Sequence, residues 1–181
     1  MRKITFVLLL FSTQLLAQKK FEIEKGKIDF SSNAVLELIS GSDEKVQGLV
    51  EPATNNFAFI VNMSGFTGFN SALQKEHFNE KYLETDKFYQ ATFSGAFIDP
   101  IDYTKDGVYK VRAKGFLTVH GVKKIRTIPG TVTIEKGKMN IDSDFNIMLA
   151  DHDIKIPEIV SQKIATEIFI KLKFFLREKT K

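Results

Sequence analysis

The chain has 181 residues, and its 26 basic against 22 acidic side chains give a formal net charge of +4 at pH 7. It contains no cysteine, which excludes a disulfide framework, thiolate metal ligands and a thiol nucleophile. The weak charge is not the concentrated basic footprint of a nucleic-acid-binding protein, so we expect no nucleic-acid partner. With 17 phenylalanines and no tryptophan, the fold is expected to depend on an aromatic-rich core.

The first residues have the pattern of a secretory signal peptide. Arg2 and Lys3 precede an apolar run from Ile4 to Phe11 that is too short to span a bilayer, and the small residue Ala17 marks a cleavage point. We predict a signal peptide over residues 1–17 and one domain over residues 19–181, periplasmic or secreted. Loss of the leader removes two basic and no acidic residues, which leaves a nearly neutral chain.

Alternating apolar and polar residues predict four strands before residue 62. The segment from Phe21 to Leu38 is expected to form two strands with a turn at Lys25-Gly26, ending at a break at Ser40-Gly41. A third strand is predicted over Lys45–Glu51. The fourth, Phe57–Val61, is apolar on both faces, so we expect it to be covered on both sides.

The stretch Phe66–Ile98 begins with the longest helix-like segment after the leader. Ser71 stands three residues before Gln74, a capping-box spacing that predicts a helix start near residues 70–71. The apolar residues do not form one clean stripe, so we predict two short helical pieces jointed at Asn79. A short helix within a run of strands is expected to cap a curled sheet or to wall one side of a cavity.

From Gln90 onward the period of two returns. The clearest alternation covers Tyr109–Val119, which predicts a long strand with one apolar side. A turn at Gly121 leads into a strand over Val122–Glu135, where Pro129-Gly130 indicates a bulge or an edge.

Two more strands complete the chain. One is predicted over Met139–Leu149 and the other over Ile164–Leu176, with one helical turn at Glu158–Gln162 between them. Eight or nine strands of this length would expose long edges unless the sheet closed on itself. The fold class is therefore all-β, a single antiparallel barrel with a short helical insert.

An eight-stranded barrel is either just filled by its side chains or just wide enough for one small ligand. Here the inward faces carry aliphatic and phenylalanine side chains interrupted by small residues, namely Gly95, Ala113, Gly115, Ser143 and Thr166. We expect these small residues to leave volume. An elongated apolar cavity running through the barrel would suit a long apolar ligand.

Two motifs in order resemble a known family. The run His77-Phe78-Asn79-Glu80 and the run Gly115-Phe116-Leu117-Thr118-Val119-His120-Gly121 are similar to those of the YceI-like family of polyisoprenoid-binding periplasmic proteins. The closing segment from Ser143 fits as well, so the resemblance covers nearly the whole mature chain. Gln90 departs from the usual proline of the family at the corner between helix and strand.

The resemblance implies an eight-stranded lipocalin-like barrel whose cavity holds a polyisoprenoid, an isoprenoid quinone or a similar lipid. It also implies no catalysis and no cofactor besides the bound lipid. Ligand identity, the choice between storage, transport and stress sensing, and a homodimer all stay open. We predict that the ligand is lined by Phe59, Val61, Phe93, Phe97, Val111, Leu117, Val119, Phe145, Ile147, Ile168 and Ile170. The alternative is that these residues simply pack against each other.

The three histidines invite a metal hypothesis, above all at Asp151-His152-Asp153. Zinc needs three or four converging ligands, and a histidine between two aspartates in a loop is more often a turn residue, so we predict no metal site.

A small exported hydrolase acting on a lipid-like ester is the alternative function, with His77 on the cavity rim. Against it, the chain has no G-x-S-x-G nucleophile elbow and no glycine-rich phosphate loop. An outer-membrane barrel would show the same alternation with its apolar side outward. The absence of tryptophan and the helical insert argue against that class, so we expect a protein that does not span the membrane.

Overall fold

The computed structural model describes residues 19–179, and the predicted signal peptide over residues 1–17 lies outside them. Nine strands make up most of the described chain: β1 (Phe21–Asn33), β2 (Leu38–Asp43), β3 (Gln47–Glu51), β4 (Asn56–Asn62), β5 (Gln90–Phe97), β6 (Gly107–Val119), β7 (Val122–Glu135), β8 (Lys138–Met148) and β9 (Glu167–Glu178). The helical elements are α1 (Ala72–His77), a π-helical turn (Phe78–Tyr82) and three 3-10 turns (Met63–Gly65, Leu149–His152 and Glu158–Val160).

The strands form one closed antiparallel barrel. Its order is β1-β3-β4-β5-β6-β7-β8-β9, and β9 pairs back onto β1. The remaining strand, β2, pairs with the C-terminal half of β1 beyond the short β3 contact. The predicted eight-stranded antiparallel barrel with a short helical insert is therefore confirmed, with β2 as one extra strand.

Two predicted breaks near the start of the chain are wrong. Lys25-Gly26 is not a turn, because β1 runs through it and pairs with β9 on both sides, with a bulge between Ile23 and Lys25. Ser40-Gly41 lies inside β2, and the ring of Phe30 on the neighbouring strand occupies the space that a Gly41 side chain would need. Both glycines relieve crowding within strands and do not end them.

One end of the barrel, here called the base, is solid. Six of the largest fully buried side chains meet there: Phe21, Val50, Val132, Ile134, Met139 and Leu176. The segment that links β5 to β6 closes this end with Tyr103, whose ring stacks on Phe21 at 6.5 Å and whose hydroxyl donates to Asn55 Oδ1 at 2.9 Å. Burial raises the pKa of Tyr103 to about 12, so the phenol stays neutral and keeps its proton for this bond.

The helical insert lies at the opposite end, here called the mouth. Ser71 Oγ accepts from the Gln74 backbone N–H at 3.1 Å, and Gln74 Oε1 accepts from the Asn70 backbone N–H at 2.9 Å, so the predicted helix start is confirmed. α1 gives way to the π-helical turn at Phe78, one residue before the predicted joint at Asn79. The insert is anchored by a cluster of aromatic rings whose centroids lie 5.1–5.9 Å apart: Phe30, Phe66, Phe69 and Phe78.

The β6–β7 hairpin is tied to its surroundings by two histidines. His120 and Gly121 both have positive φ, which is the geometry of a tight two-residue turn. His120 Nε2 lies 2.8 Å from Glu84 Oε2, and its Nδ1 lies 3.1 Å from the His152 carbonyl. His152 itself is fully buried and hydrogen-bonds through Nδ1 to the Val122 carbonyl at 3.1 Å, while its Nε2 has no partner within the described residues.

Gly95 in β5 and Gly115 in β6 do not leave empty volume in the barrel, so the prediction that they would is wrong. Gly95 and Gly115 stand directly opposite each other, and a Cβ on either would overlap the backbone of the facing strand. They permit a close approach of the two strands, so the space beside each glycine is occupied by the facing backbone.

Gly115→Ala is expected to lower the free energy of unfolding by about 1–3 kcal/mol, because the added methyl must push two paired backbones apart. The matched control is Gly107→Ala on the same strand, where the nearest atoms belong to the Tyr109 ring at 3.3–3.4 Å; its change should stay within about 0.5 kcal/mol. Urea denaturation measures both. Equal effects of the two changes would contradict the close approach.

His152 makes stability depend on pH. Burial lowers the pKa of His152 below its ordinary value of 6.5, so the native state keeps it neutral while the unfolded chain takes up a proton. The free energy of unfolding is therefore expected to fall as pH is lowered from about 7.5 to about 5.5.

His152→Gln keeps a side-chain donor for the Val122 carbonyl but cannot take up a proton in this range. As pH is lowered, the free energy of unfolding of the variant should fall less than that of the parent chain, and urea denaturation measures both. Because all other ionisable groups are the same in both proteins, only the difference between the two curves reports on His152. Parallel curves would show that burial of His152 does not shift its titration.

Candidate functional site

A cavity of about 510 Å³ occupies the barrel above the base. Its wall is made mainly by inward-facing side chains of the barrel strands, and most of the surface that lines it is apolar. The insert contributes Phe66, Phe78, Tyr82 and Leu83 to one side of the wall. The helix-containing segment thus walls the cavity, one of the two roles that its position in the sequence predicted.

All eleven residues predicted to line a ligand lie on the wall of this cavity. Val111, Leu117 and Val119 lie on one face of β6, six and then two residues apart, and the other eight line the cavity from β4, β5, β8 and β9. Their contact with a ligand stays a prediction. Of the small residues, Ala113 and Ser143 line the cavity, whereas the two paired glycines and Thr166 do not.

Part of the wall comes from β1, β2 and the segment after β2, which were not among the predicted lining residues. Ile28, Phe30, Ile39 and Val46 all line the cavity. The signal was present, since Ile28, Phe30 and Ser32 alternate with polar residues, but the expected turn at Lys25-Gly26 obscured which face of β1 points inward. Further lining residues come from the insert and from β7, β8 and β9.

The cavity is blind at the base and is not the continuous passage that we expected. Its floor is formed by Phe97, Val111, Ile141 and Phe174, and none of the six base residues lines it. From Val111 to Val119 the wall follows β6 for about 26 Å, which is about 20 Å along the axis at a typical strand tilt. The cavity is therefore long, narrow and closed at one end.

Polar side chains gather at the mouth. Gln74 Nε2 donates to Glu37 Oε1 at 2.8 Å, and Asn70 Nδ2 donates to the Leu38 carbonyl at 2.9 Å, which ties α1 to the β1–β2 turn. His77 and Lys163 lie on the same opening from different segments. The cavity thus offers apolar contacts along its depth and hydrogen-bonding groups at its opening.

One stretch of the wall is held by side chains and not by a strand ladder. β7 pairs with β8 only over Thr131–Glu135, so the predicted edge at Pro129-Gly130 faces β8, while pairing with β6 continues through it without a bulge. Beyond that point Ser143 Oγ donates to the Pro129 carbonyl at 2.6 Å and Arg126 donates to the Asn146 carbonyl at 2.7 Å.

The histidines do not converge. His77 lies at the mouth, while His120 and His152 belong to the β6–β7 hairpin and its support. Between residues 19 and 179 no three His, Cys, Asp or Glu side chains come together as a metal site would require. Over the same range His77 has no carboxylate or hydroxyl hydrogen-bond partner, so it lacks the orienting group that an activated base needs.

No helix in the part of the chain that the structure describes has the length and apolar character needed to cross a membrane.

Known structures with this architecture carry little sequence identity. A polyisoprenoid binding domain from Saccharophagus degradans, implicated in plant cell wall breakdown, superposes with a TM-score of 0.73 at 12% identity and covers 88% of this chain and 98% of its own. Burkholderia cenocepacia BcnA gives 0.69 at 19% identity, with 83% and 95% covered. The Campylobacter jejuni YceI protein gives 0.53 at 15% identity over 100% of both chains.

These likenesses establish the fold. A search of curated proteins found no match. The sequence profile of the YceI-like domain, in contrast, matches residues 19–176. This range includes every strand of the barrel except the last two residues of β9. The chain therefore belongs to the YceI-like domain family, as its two motifs indicated.

Proposed function

We propose that this protein binds and carries a long apolar amphiphile, such as a polyisoprenoid, an isoprenoid quinone or a similar lipid. The observation that carries the proposal is the blind cavity of about 510 Å³, lined by carbon along its depth and by polar groups at its mouth. A volume of this size is typical of ligand sites. The structural similarity to a domain described as polyisoprenoid binding supports the same ligand class.

Binding would be driven by the transfer of ligand surface out of water. Each buried CH₂ group contributes about 0.8 kcal/mol, so ten buried carbons contribute about 8 kcal/mol, comparable to a micromolar dissociation constant before ordering costs. The tail would enter first and reach toward Phe97 and Val111, and the headgroup would stay near Glu37, His77 and Lys163. Affinity should then depend on the tail more than on the headgroup.

We infer binding without catalysis and without any cofactor besides the lipid itself. The alternative hydrolase would need a nucleophile and an oriented base next to the reacting bond. His77 at the mouth has no carboxylate or hydroxyl hydrogen-bond partner within residues 19–179. The serines on the cavity wall are bonded to the backbone: Ser32 and Ser71 accept from backbone N–H groups, and Ser143 donates to a carbonyl. Incubation with generic ester substrates tests this inference, and turnover that is lost in His77→Ala would overturn it.

We further propose that the protein works in the periplasm or is secreted. The support is the leader-like pattern of residues 1–17 together with membership of the YceI-like family. Fractionation by osmotic shock, with N-terminal sequencing of the released protein, tests both the location and the cleavage after residue 17.

Filling the cavity should abolish lipid binding. Val111→Trp and Leu117→Trp each place an indole ring into the cavity from buried positions on β6, and we expect co-purified lipid to fall at least about tenfold because the tail loses its space. Native mass spectrometry of protein purified without detergent measures the bound lipid and the oligomeric state together.

The matched control is Val108→Trp, on the same strand but exposed at the base, which should leave lipid content unchanged. Since the chain has no tryptophan of its own, the emission of each new indole also reports whether the barrel is folded around it. A folded Val111→Trp or Leu117→Trp variant with the lipid content of the parent would contradict the proposed cavity function.

A further inference from the structure

Four aliphatic side chains stand exposed around the mouth of the barrel. Val35 is 89% exposed, Leu36 63%, Leu73 58% and Ile159 92%. Together they are called the apolar rim here. Val35 and Leu36 belong to the β1–β2 turn, Leu73 to α1 and Ile159 to the 3-10 turn before β9. Each of these side chains leaves more than half of its surface exposed, and their grouping at the end where the cavity opens is typical of a contact surface.

The apolar rim is held in place by hydrogen bonds between its three segments. The Leu36 backbone N–H donates to the Gln162 carbonyl at 2.9 Å, which joins the β1–β2 turn to the segment that carries Ile159. On its other side the same turn is joined to α1 through Gln74 and Glu37 at 2.8 Å. These hydrogen bonds fix the three segments of the apolar rim relative to one another, so its side chains do not sit on independent loops.

The apolar rim continues the wall of the cavity. Leu73 lies on the cavity wall and is also more than half exposed, so it belongs to both surfaces. Val160, next to Ile159, and Glu37, next to Leu36, line the opening as well. Leu73 therefore connects the apolar wall to the apolar rim on one side of an opening that also carries Glu37 and Lys163.

The base differs in this respect. Val108 is 67% exposed there, but the fully buried side chains of the base lie behind it and none of them lines the cavity. Exposed aliphatic side chains and an apolar opening coincide only at the mouth, among residues 19–179.

We propose that the apolar rim docks the mouth onto the surface of a lipid bilayer, so that ligand passes between membrane and cavity without crossing water. The proposal deepens the lipid-carrier function proposed above and rests on it for its purpose, although docking itself can be measured without ligand. The rim fits a bilayer because its aliphatic tips project from separate turns and can each enter the acyl boundary.

The charges around the rim support hydrophobic docking over electrostatic docking. The segments that carry the rim contain both acidic residues (Glu37, Glu76 and Glu158) and basic residues (Lys75 and Lys163), so no single sign dominates. Long lysine side chains can extend toward the headgroups while their stems lie on apolar surface. Docking should therefore occur on neutral phosphatidylcholine and should change less than about twofold between about 0.05 and 0.5 M salt.

Flotation with phosphatidylcholine vesicles tests the rim directly. The double variant Val35→Ser with Ile159→Ser removes the two most exposed tips and should lower vesicle binding at least about tenfold, since each tip loses its apolar burial. Val108→Ser is the matched control at the base and should bind vesicles like the parent chain. Equal binding by the parent and the double variant would overturn the proposal.

Two further measurements separate docking from ligand binding. The double variant should still take up isoprenoid added from an organic solvent, because neither Val35 nor Ile159 lines the cavity, but uptake from vesicles should slow at least about tenfold. Val111→Trp should dock like the parent while carrying no lipid. If Val111→Trp keeps its lipid, the carrier function fails; if the double variant takes up lipid from vesicles at the parent rate, only the docking proposal fails.

Because the chain contains no cysteine, single cysteines report position cleanly. A fluorophore sensitive to polarity on Val35→Cys or Ile159→Cys should shift its emission to the blue when vesicles are added, and the same label on Val108→Cys should not. A blue shift that appears with rising protein concentration and no vesicles would identify the rim as a contact between copies of the chain and overturn bilayer docking. So would equal shifts at mouth and base.

Discussion

The pairing of β9 with β1 is the constraint on which the rest of the structure depends. It joins residues 21–31 to residues 169–178, nearly the two ends of the described chain, and removes the two long edges that an open sheet would present. The bulge between Ile23 and Lys25 gives β1 the local bend that closure requires. Once the barrel is closed its interior volume is fixed, and the inward side chains alone decide whether it is filled or hollow.

Those side chains divide the interior at a layer of phenylalanine rings. Phe57 lies 5.4 Å from Phe59, 4.9 Å from Phe93 and 5.1 Å from Phe97, and Phe59 lies 5.1 Å from Phe174. Below this layer large side chains pack against each other and fill the base. Above it the opposite walls of the barrel are separated by the cavity. The filled base can hold the fold together while the upper part stays hollow, and a bound lipid would add stability to the native state by mass action.

Strong alternation was enough to predict much of this architecture. β5 begins and ends where the change of period predicts, and the inward face of β6 from Tyr109 to Val119 follows from the pleat alone. The predictions that rested on glycines were wrong, because the role of a glycine in a sheet depends on the strand beside it. Gly41 lies under the ring of Phe30, and Gly95 faces Gly115, and neither relation is visible before the register is known. For the same reason the sequence could not reveal that the cavity stops at a floor.

A floor gives the proposed carrier a means of selection that an open passage lacks. Tails that end above Phe97 and Ile141 would leave apolar wall uncovered, and longer tails would have to fold back or protrude through the mouth. The polar groups at the mouth are mainly Glu37, His77 and Lys163, so a headgroup can add only a few hydrogen bonds. The binding free energy contributed by the tail, in contrast, grows with every buried carbon. Selectivity of such a site would follow from tail length and shape first and from headgroup chemistry second, because the wall is long and the opening is small.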